Sequence, residues 1–331
     1  MEDNYYTYDI YEDKEELIIK TLDKYTNNTI INPYLSKEKI IDMHTHTCYS
    51  DGELKPHELI SLALEKGIST LAITDHDTIE GIKKINRNDD LIVKTGIEII
   101  NGIELSVKVP KGRMHILGYG INLEDINLNK KLLELKDNSL NSVLSIIEVL
   151  KKDYNIRFTY DEIKSLFQFE HNLGRPDIAK ILINKGYVSS VKEAFSKYLI
   201  EAHNKTRSFS KGISYEECID LITKSGGIPI LAHPKSLELT EKELLILLKN
   251  MINCGLKGIE VFHSSHTPLE IKKYMEIAQK YDLLVSGGSD YHGSTVKPEI
   301  ELGTGINNNL NIKKLSLLDE LHRKIKNQSE N

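Results

Sequence analysis

The chain has 331 residues, 40% hydrophobic and 28% charged, with a formal net charge of −6. This is ordinary globular composition for one large domain or two modest ones, and its acidic balance argues against gripping duplex DNA by bulk electrostatics. No apolar run is long enough to read as a membrane span; the acidic, aromatic start is unlike an export signal; and three scattered cysteines (Cys48, Cys218, Cys254) fit a reducing compartment, so the expected location is the cytoplasm.

Residues 1–39 read as an acidic, Tyr-rich extension with one helix around Lys14–Tyr25, broken off by Asn32-Pro33. From Ile40 the pattern alternates strand and helix. Ile40–Met43 is a strand that delivers His44-Thr45-His46, with Ser50-Asp51 close behind; side chains two apart in a strand share a face. Pro56 opens a helix to Lys66, closed by Gly67. Thr70–Thr74 is a strand delivering Asp75-His76-Asp77, and Thr78–Ile85 is helical. Ile97–Ile100, Ile103–Val107 and Met114–Tyr119 are strand-like and carry Glu104 and His115.

Over 122–212 strand signals vanish and helical patterns appear at 129–151, 160–168, 175–185 and 190–200, which reads as a small helical insertion. Alternation then resumes over 213–306. Helices are expected at Glu216–Lys224, Glu241–Asn253 and Pro268–Tyr281. Strands are expected at Ile228–Ala232, ending in His233, at Gly258–Phe262, ending at His263, and at Leu283–Ser286, leading to Asp290 and His292. Residues 307–331 form a C-terminal helix and tail.

Polar residues at each strand's C-terminal end suit a β/α barrel, whose sites lie at that rim; a doubly wound sheet would confine them to one or two switch points. Nine share this position: His44, His46, Asp51, His76, Glu104, His115, His233, Asp290 and His292. Burying so many titratable groups requires compensating charge, which divalent cations supply. Nitrogen and oxygen donors without thiolates suit Mn2+, Zn2+, Fe2+ or Mg2+. Nine ligands suffice for two or three ions, and clustered ions serve phosphoester hydrolysis.

The motifs His44-Thr-His46 with Ser50-Asp51-Gly52, Ile73-Thr74-Asp75-His76-Asp77, Gly102-Ile-Glu104, Met114-His115-Ile-Leu-Gly-Tyr119, Ala232-His233-Pro234 and Ser289-Asp290-Tyr-His292 resemble, in order and spacing, those of the PHP (polymerase and histidinol phosphatase) domain. The segments Leu173-Gly-Arg175-Pro176, Lys185–Ser190 and Gly258–Pro268 look like its stand-alone nucleotide phosphoesterases, 3′,5′-nucleotide bisphosphate phosphatases and 5′→3′ exoribonucleases. The resemblance implies a distorted (β/α)7 TIM-like barrel with an inserted small helical domain and a trinuclear centre, Mn2+ first among the metals. His44, His46, Glu104 and Asp290 would hold one ion; Glu104, His115 and His233 a second; Asp51, His76 and His292 a third. Glu104, His233 and Asp290 would be the catalytic residues of a metal-dependent phosphoesterase using a metal-held hydroxide on nucleotides or short 5′-phosphorylated RNA. Arg175 would bind a phosphate; His266, read from its place just past a rim strand rather than from the resemblance, is an open candidate for contact with substrate. This chain departs from the family's pattern at Asp177, where His is common, near Lys205-Thr206-Arg207, where a Pro is missing, and in its N-terminal extension.

Other residues carry open readings. Asp42 and Asp75 either orient imidazoles or cap turns, and Asp77 reads as the N-cap of the helix at Thr78. His57 and His322 read as surface, His171 and His203 as solvent- or substrate-facing, and Cys48 as a loop residue. Competing functions are a histidinol-phosphatase-like phosphomonoesterase, an amidohydrolase, which would need a modified bridging Lys where Glu104 stands, and a non-catalytic metal-binding module.

Overall fold

The computed structural model describes residues 39–87, 89–109, 111–166, 173–206 and 212–329, so the helix expected near Lys14–Tyr25 and His171 lie outside the described residues. Seven strands stand side by side in sequence order: β1 (Ile40–Asp42), β2 (Ile68–Ile73), β3 (Glu98–Val107), β4 (Met114–Tyr119), β5 (Ile228–Leu231), β6 (Gly258–His263) and β7 (Leu284–Gly288). Past their ends the first and last strands meet. Met43 N donates to Gly287 O (3.2 Å), Asp290 N to His44 O (2.8 Å) and His46 N to Tyr291 O (2.9 Å). The ring is a nearly closed barrel, and the bonds that close it run through the segments carrying His44, His46 and Asp290.

All neighbouring strands are parallel except β4, which is antiparallel to both β3 and β5. An antiparallel pair needs no crossover helix, so β3 and β4 form a hairpin that distorts the β/α repeat. The two runs expected at 97–100 and 103–107 are one ten-residue strand passing through Gly102. A Cβ there would stand 2.6 Å from Thr74 Cγ2 and 2.7 Å from Ile73 O, so only glycine lets β3 lie this close to the end of β2.

The parallel strands are largely buried on both faces, as strands covered by helices are; every residue of β5 is buried. Helices Pro56–Glu65, Tyr215–Lys224, Glu241–Asn253 and Pro268–Tyr281 lay Leu59, Ile219, Leu248 and Ile277 into one continuous core with Leu71, Ile103 and Ile259. Ser214, Thr240 and Thr267 cap the last three with reciprocal Glu contacts, each cap contributing about 1 kcal/mol. Below the barrel, helix Ser316–Ser329 packs Leu317 and Leu321 on Met43, Tyr119 and Ile230.

Helices between 126 and 206 surround a second cluster of Val143, Ile146, Leu150, Ile178, Leu182 and Leu199. The 29-residue helix Ile126–Tyr154 joins the two cores: Leu128 and Leu132 belong to the barrel's, Val143 to Leu150 to the other. The helix expected over 190–200 is instead Val191–Ala194, a π-helical turn Phe195–Leu199, and Ile200–Thr206.

Candidate metal centre

Glu104, fully buried on β3, is the hub of the rim. Its Oε1 lies 2.8 Å from both His115 Nδ1 and His233 Nε2. Its Oε2 lies 3.2 Å from His44 Nε2, 3.2 Å from His46 Nε2 and 3.1 Å from His76 Nδ1. Five imidazoles from four different strand ends thus converge on one carboxylate. Asp290 Oδ1 stands 3.6 Å from His44 Nε2 and 3.3 Å from His46 Nε2. Asp51 Oδ1 is 3.2 Å from His292 Nε2, and its Oδ2 is 3.9 Å from His76 Nε2.

Candidate ligand atoms cluster in four groups among the described residues. His44, His46, Glu104 and Asp290 form one set. Asp51, His76 and His292 form another, which His46 also approaches. His76, Glu104 and His115 form a third group, and His233 Nε2 lies 3.3 Å from His115 Nδ1 and 2.8 Å from Glu104 Oε1.

The outer nitrogens fix the tautomers. His44 Nδ1 donates to Glu260 Oε1 (2.9 Å) and His292 Nδ1 to Asp290 O (2.7 Å). Ser236 Oγ gives its only proton to Arg113 O, so it accepts from His233 Nδ1 (2.8 Å). Each of these rings therefore turns a lone pair inward. Lone pairs facing carboxylate oxygens repel unless cations lie between them. His44 Nε2, His46 Nε2, His76 Nδ1, Glu104 Oε2 and Asp51 Oδ1 are buried without a hydrogen-bond partner among the described residues. That donor set fits divalent cations.

Without a cation, protons meet the same demand for positive charge. Burial disfavours charge on Glu104, yet the surrounding His76, His115 and His44 hold its carboxyl well below the usual range. Burial likewise opposes charge on His44, and Glu260 and Glu104 overcome it, raising its imidazole well above the usual value. His233 and Asp290 occupy left-handed backbone, with φ of 22° and 58°; strain of about 1–3 kcal/mol each is tolerated where the surroundings fix the geometry.

The other singled-out residues fall as follows. Asp42 and Asp75 pin loops rather than rings. Asp42 accepts from Ser289 N (2.9 Å) and Gly303 N (2.8 Å), and Asp75 from Thr47 N, Thr47 Oγ1 and Ser50 Oγ, all at 2.7 Å. Asp77 is not the N-cap: it sits at φ 51° and accepts from Ser106 N across to β3, while Thr78 Oγ1 accepts from Glu80 N. His266 is buried behind His263, its Nδ1 tied to Val261 O (2.9 Å) and its ring against Tyr274, so it does not face the open rim. His57 and His322 are exposed, and Cys48 joins no ligand group.

Arg175 opens the helix Arg175–Asn184, its guanidinium 5.7 Å from the centre of the Phe195 ring. Burial and the neighbouring charge of Arg113 hold it below its usual value, and neither arginine pairs with an acid among the described residues. Asp177 accepts from Gly174 N (2.8 Å) and so caps the helix that presents Arg175. Sequence reasoning gave no role to Arg113, Glu260 or Lys297, whose Nζ lies 2.7 Å from Asp290 Oδ2.

Comparisons with known proteins agree with this geometry. The 5'-3' exoribonuclease Rnm of Escherichia coli is 32% identical over 80% of this chain and 88% of its own. A phosphoribosyl 1,2-cyclic phosphate 1,2-diphosphodiesterase of Eggerthella lenta is 28% identical over 77% and 94%. A 3',5'-nucleoside bisphosphate phosphatase of Chromobacterium violaceum is 28% identical over 76% and 87%. A solved structure from Bifidobacterium adolescentis, provisionally described as a metal-dependent phosphoesterase, shares the fold at TM-score 0.69 and 24% identity, covering 86% of this chain and 96% of its own. Among the described residues no helix is long and apolar enough to cross a membrane. With the PHP domain model matching residues 42–224 and an exoribonuclease relative at 32% identity, the chain belongs to the PHP domain family.

Proposed function

We propose that the protein is a metal-dependent phosphoesterase that hydrolyses phosphate esters of nucleotides, either 3′,5′-nucleoside bisphosphates or short 5′-phosphorylated RNA. The observation that carries the reading is the hub carboxylate Glu104, ringed by five imidazoles, two of which (His44 and His233) have their outer protons committed elsewhere, as does His292 beside Asp51. Three ions would be held: one by His44, His46, Glu104 and Asp290, a second by Glu104, His115 and His233, a third by Asp51, His76 and His292, with Glu104 shared. Such ions acidify water toward a pKa of about 7 and neutralise phosphoryl oxygens. The chain's own contribution is placement. Buried carboxylates and fixed tautomers keep the donors aimed inward, and Arg175 with Arg113, neither paired with an acid among the described residues, offers positive charge to a phosphate. The helical segment 122–212 carries Arg175 and would cover the substrate; duplex DNA is not an expected partner.

The test is purified protein with Mn2+ presented in parallel with adenosine 3′,5′-bisphosphate, short 5′-phosphorylated RNA, a phosphoribosyl 1,2-cyclic phosphate and histidinol phosphate. Release of phosphate or mononucleotide from one of the first two is expected, and Glu104→Gln should lower it at least 100-fold. Turnover of only the last two would overturn the nucleotide reading. No turnover of any by metal-loaded protein would overturn the phosphoesterase reading.

A further inference from the structure

We propose that Glu260, buried in the middle of β6, is a positioning residue that orients ligands of two of the three ions and leaves the third untouched. The inference rests on the three-ion reading above. Glu260 is fully buried, and both oxygens are committed to the centre's scaffold. Its Oε1 accepts from His44 Nδ1 (2.9 Å), fixing the tautomer and ring plane of a residue in the His44–His46–Glu104–Asp290 group. Its Oε2 accepts from the backbone N of His233 (2.7 Å), the residue at φ 22° that belongs with Glu104 and His115. With both oxygens engaged, Glu260 acts through these two histidines rather than as a ligand, although it lies within ligand distance of His44 and His263. No contact joins it to Asp51, His76 or His292 among the described residues.

The backbone explains how it gets there. Along β6, Glu260 pairs with Ser286 and Phe262 with Gly287, leaving Val261 as an extra residue. Such a bulge reverses the alternation of side chains, so Glu260 and His263 face the same interior although three apart, while Phe262 turns outward. A carboxylate is thereby delivered one layer beneath the rim, below the ligands it holds.

Carboxylates that hold ligating imidazoles are worth about 10- to 100-fold in metal affinity. Glu260→Gln keeps volume but removes the negative charge from both contacts and sets an NH2 donor in place of one acceptor, so one bond is lost and the other loses its charge assistance. The experiment measures metal content by mass spectrometry after equilibrium dialysis of Mn2+-loaded protein against graded chelator. Wild-type protein is the reference, and its melting curve checks the fold. Two ions in the variant should leave at roughly 10- to 100-fold lower chelator strength, with the third unmoved. Three ions retained as in wild type, or all three weakened alike, would overturn the proposal, since a loss of general stability would not spare one group. Glu260→Asp, which keeps the charge but shortens the reach, should give the same two-of-three pattern and carries the comparison if the Gln variant does not fold. Failure of wild-type protein to hold three ions would instead count against the reading of the centre itself.

Discussion

His46 and His76 lie with ring centroids 4.5 Å apart, yet the metal-free protein treats them oppositely. Burial disfavours charge on His46, but Asp290, Glu104 and Asp51 outweigh it and raise its imidazole to about 9. At His76 burial wins, with His46 and His115 adding like charge, and the imidazole falls to about 3. An unfolded histidine titrates near about 6.5. His46 therefore contributes stability that is full below that value and lost as pH rises through about 9. His76 contributes stability present above it and lost as pH falls toward about 3. Chelator-treated protein should lose melting temperature between pH 7 and pH 9, and Mn2+-loaded protein should lose less, because the ion replaces the proton at His46. Parallel melting curves at the two pH values, with and without chelator, check this; an equal loss in both forms would refute it. By the same competition, metal affinity should rise with pH.

At the scale of the element, closure of the barrel depends on small residues. A Cβ on Gly288 of β7 would meet the backbone nitrogen of His44 and stand 2.6 Å from its Cβ and 2.7 Å from Asp42 Oδ1. Gly288→Ala should cost about 1–3 kcal/mol, as overpacking does, and should also weaken Mn2+ binding, because the strand forced aside is the one carrying His44 and His46. Denaturant melts and metal titration would show both effects; an effect on stability alone would place the strain away from the centre. Strands that end in His or Asp after an apolar run were legible, since the polar residue interrupts a pattern that burial otherwise explains. The strand Met114–Tyr119 and the helices Glu241–Asn253 and Pro268–Tyr281 match their expected bounds, because their apolar residues recur at strand and helical spacing. Glu260 was not legible. Strict alternation counted back from His263 puts Val261 and Ile259 on its face and Glu260 on the other, and only the bulge reverses this. Asp77 misled because an Asp before a helix has the composition of a cap whether it bonds forward or sideways to β3. The fusion of two runs through Gly102 was equally hidden, because glycine marks a break as often as a close approach.

Across the whole molecule, two hydrophobic cores are joined by the helix Ile126–Tyr154, and the arginine expected to bind phosphate stands on the smaller one. Arg175 is not attached to the barrel that carries the proposed ligands, so binding and chemistry should separate on substitution. Arg175→Ala should lower kcat/KM for a nucleotide substrate roughly 10- to 100-fold, the value of a charge-assisted contact of about 1.5–3 kcal/mol. Turnover of a small aryl phosphate, and metal content, should stay near wild type. Steady-state kinetics on both substrates would decide it, equal losses on the two placing Arg175 in the chemistry itself.

The ring that closes through residues 43–46 and 287–291 also sets an order of assembly during synthesis, when the N-terminal part of a chain is free to fold first. Glu104, His115 and His233 have all been synthesised once 233 of the 331 residues are made. The other two groups each wait for a final ligand, Asp290 or His292, on the segment just beyond β7. On the proposed grouping, a nascent chain can thus complete one ligand set while the barrel is still open, and the other two sets are completed only as the last strand arrives to shut it.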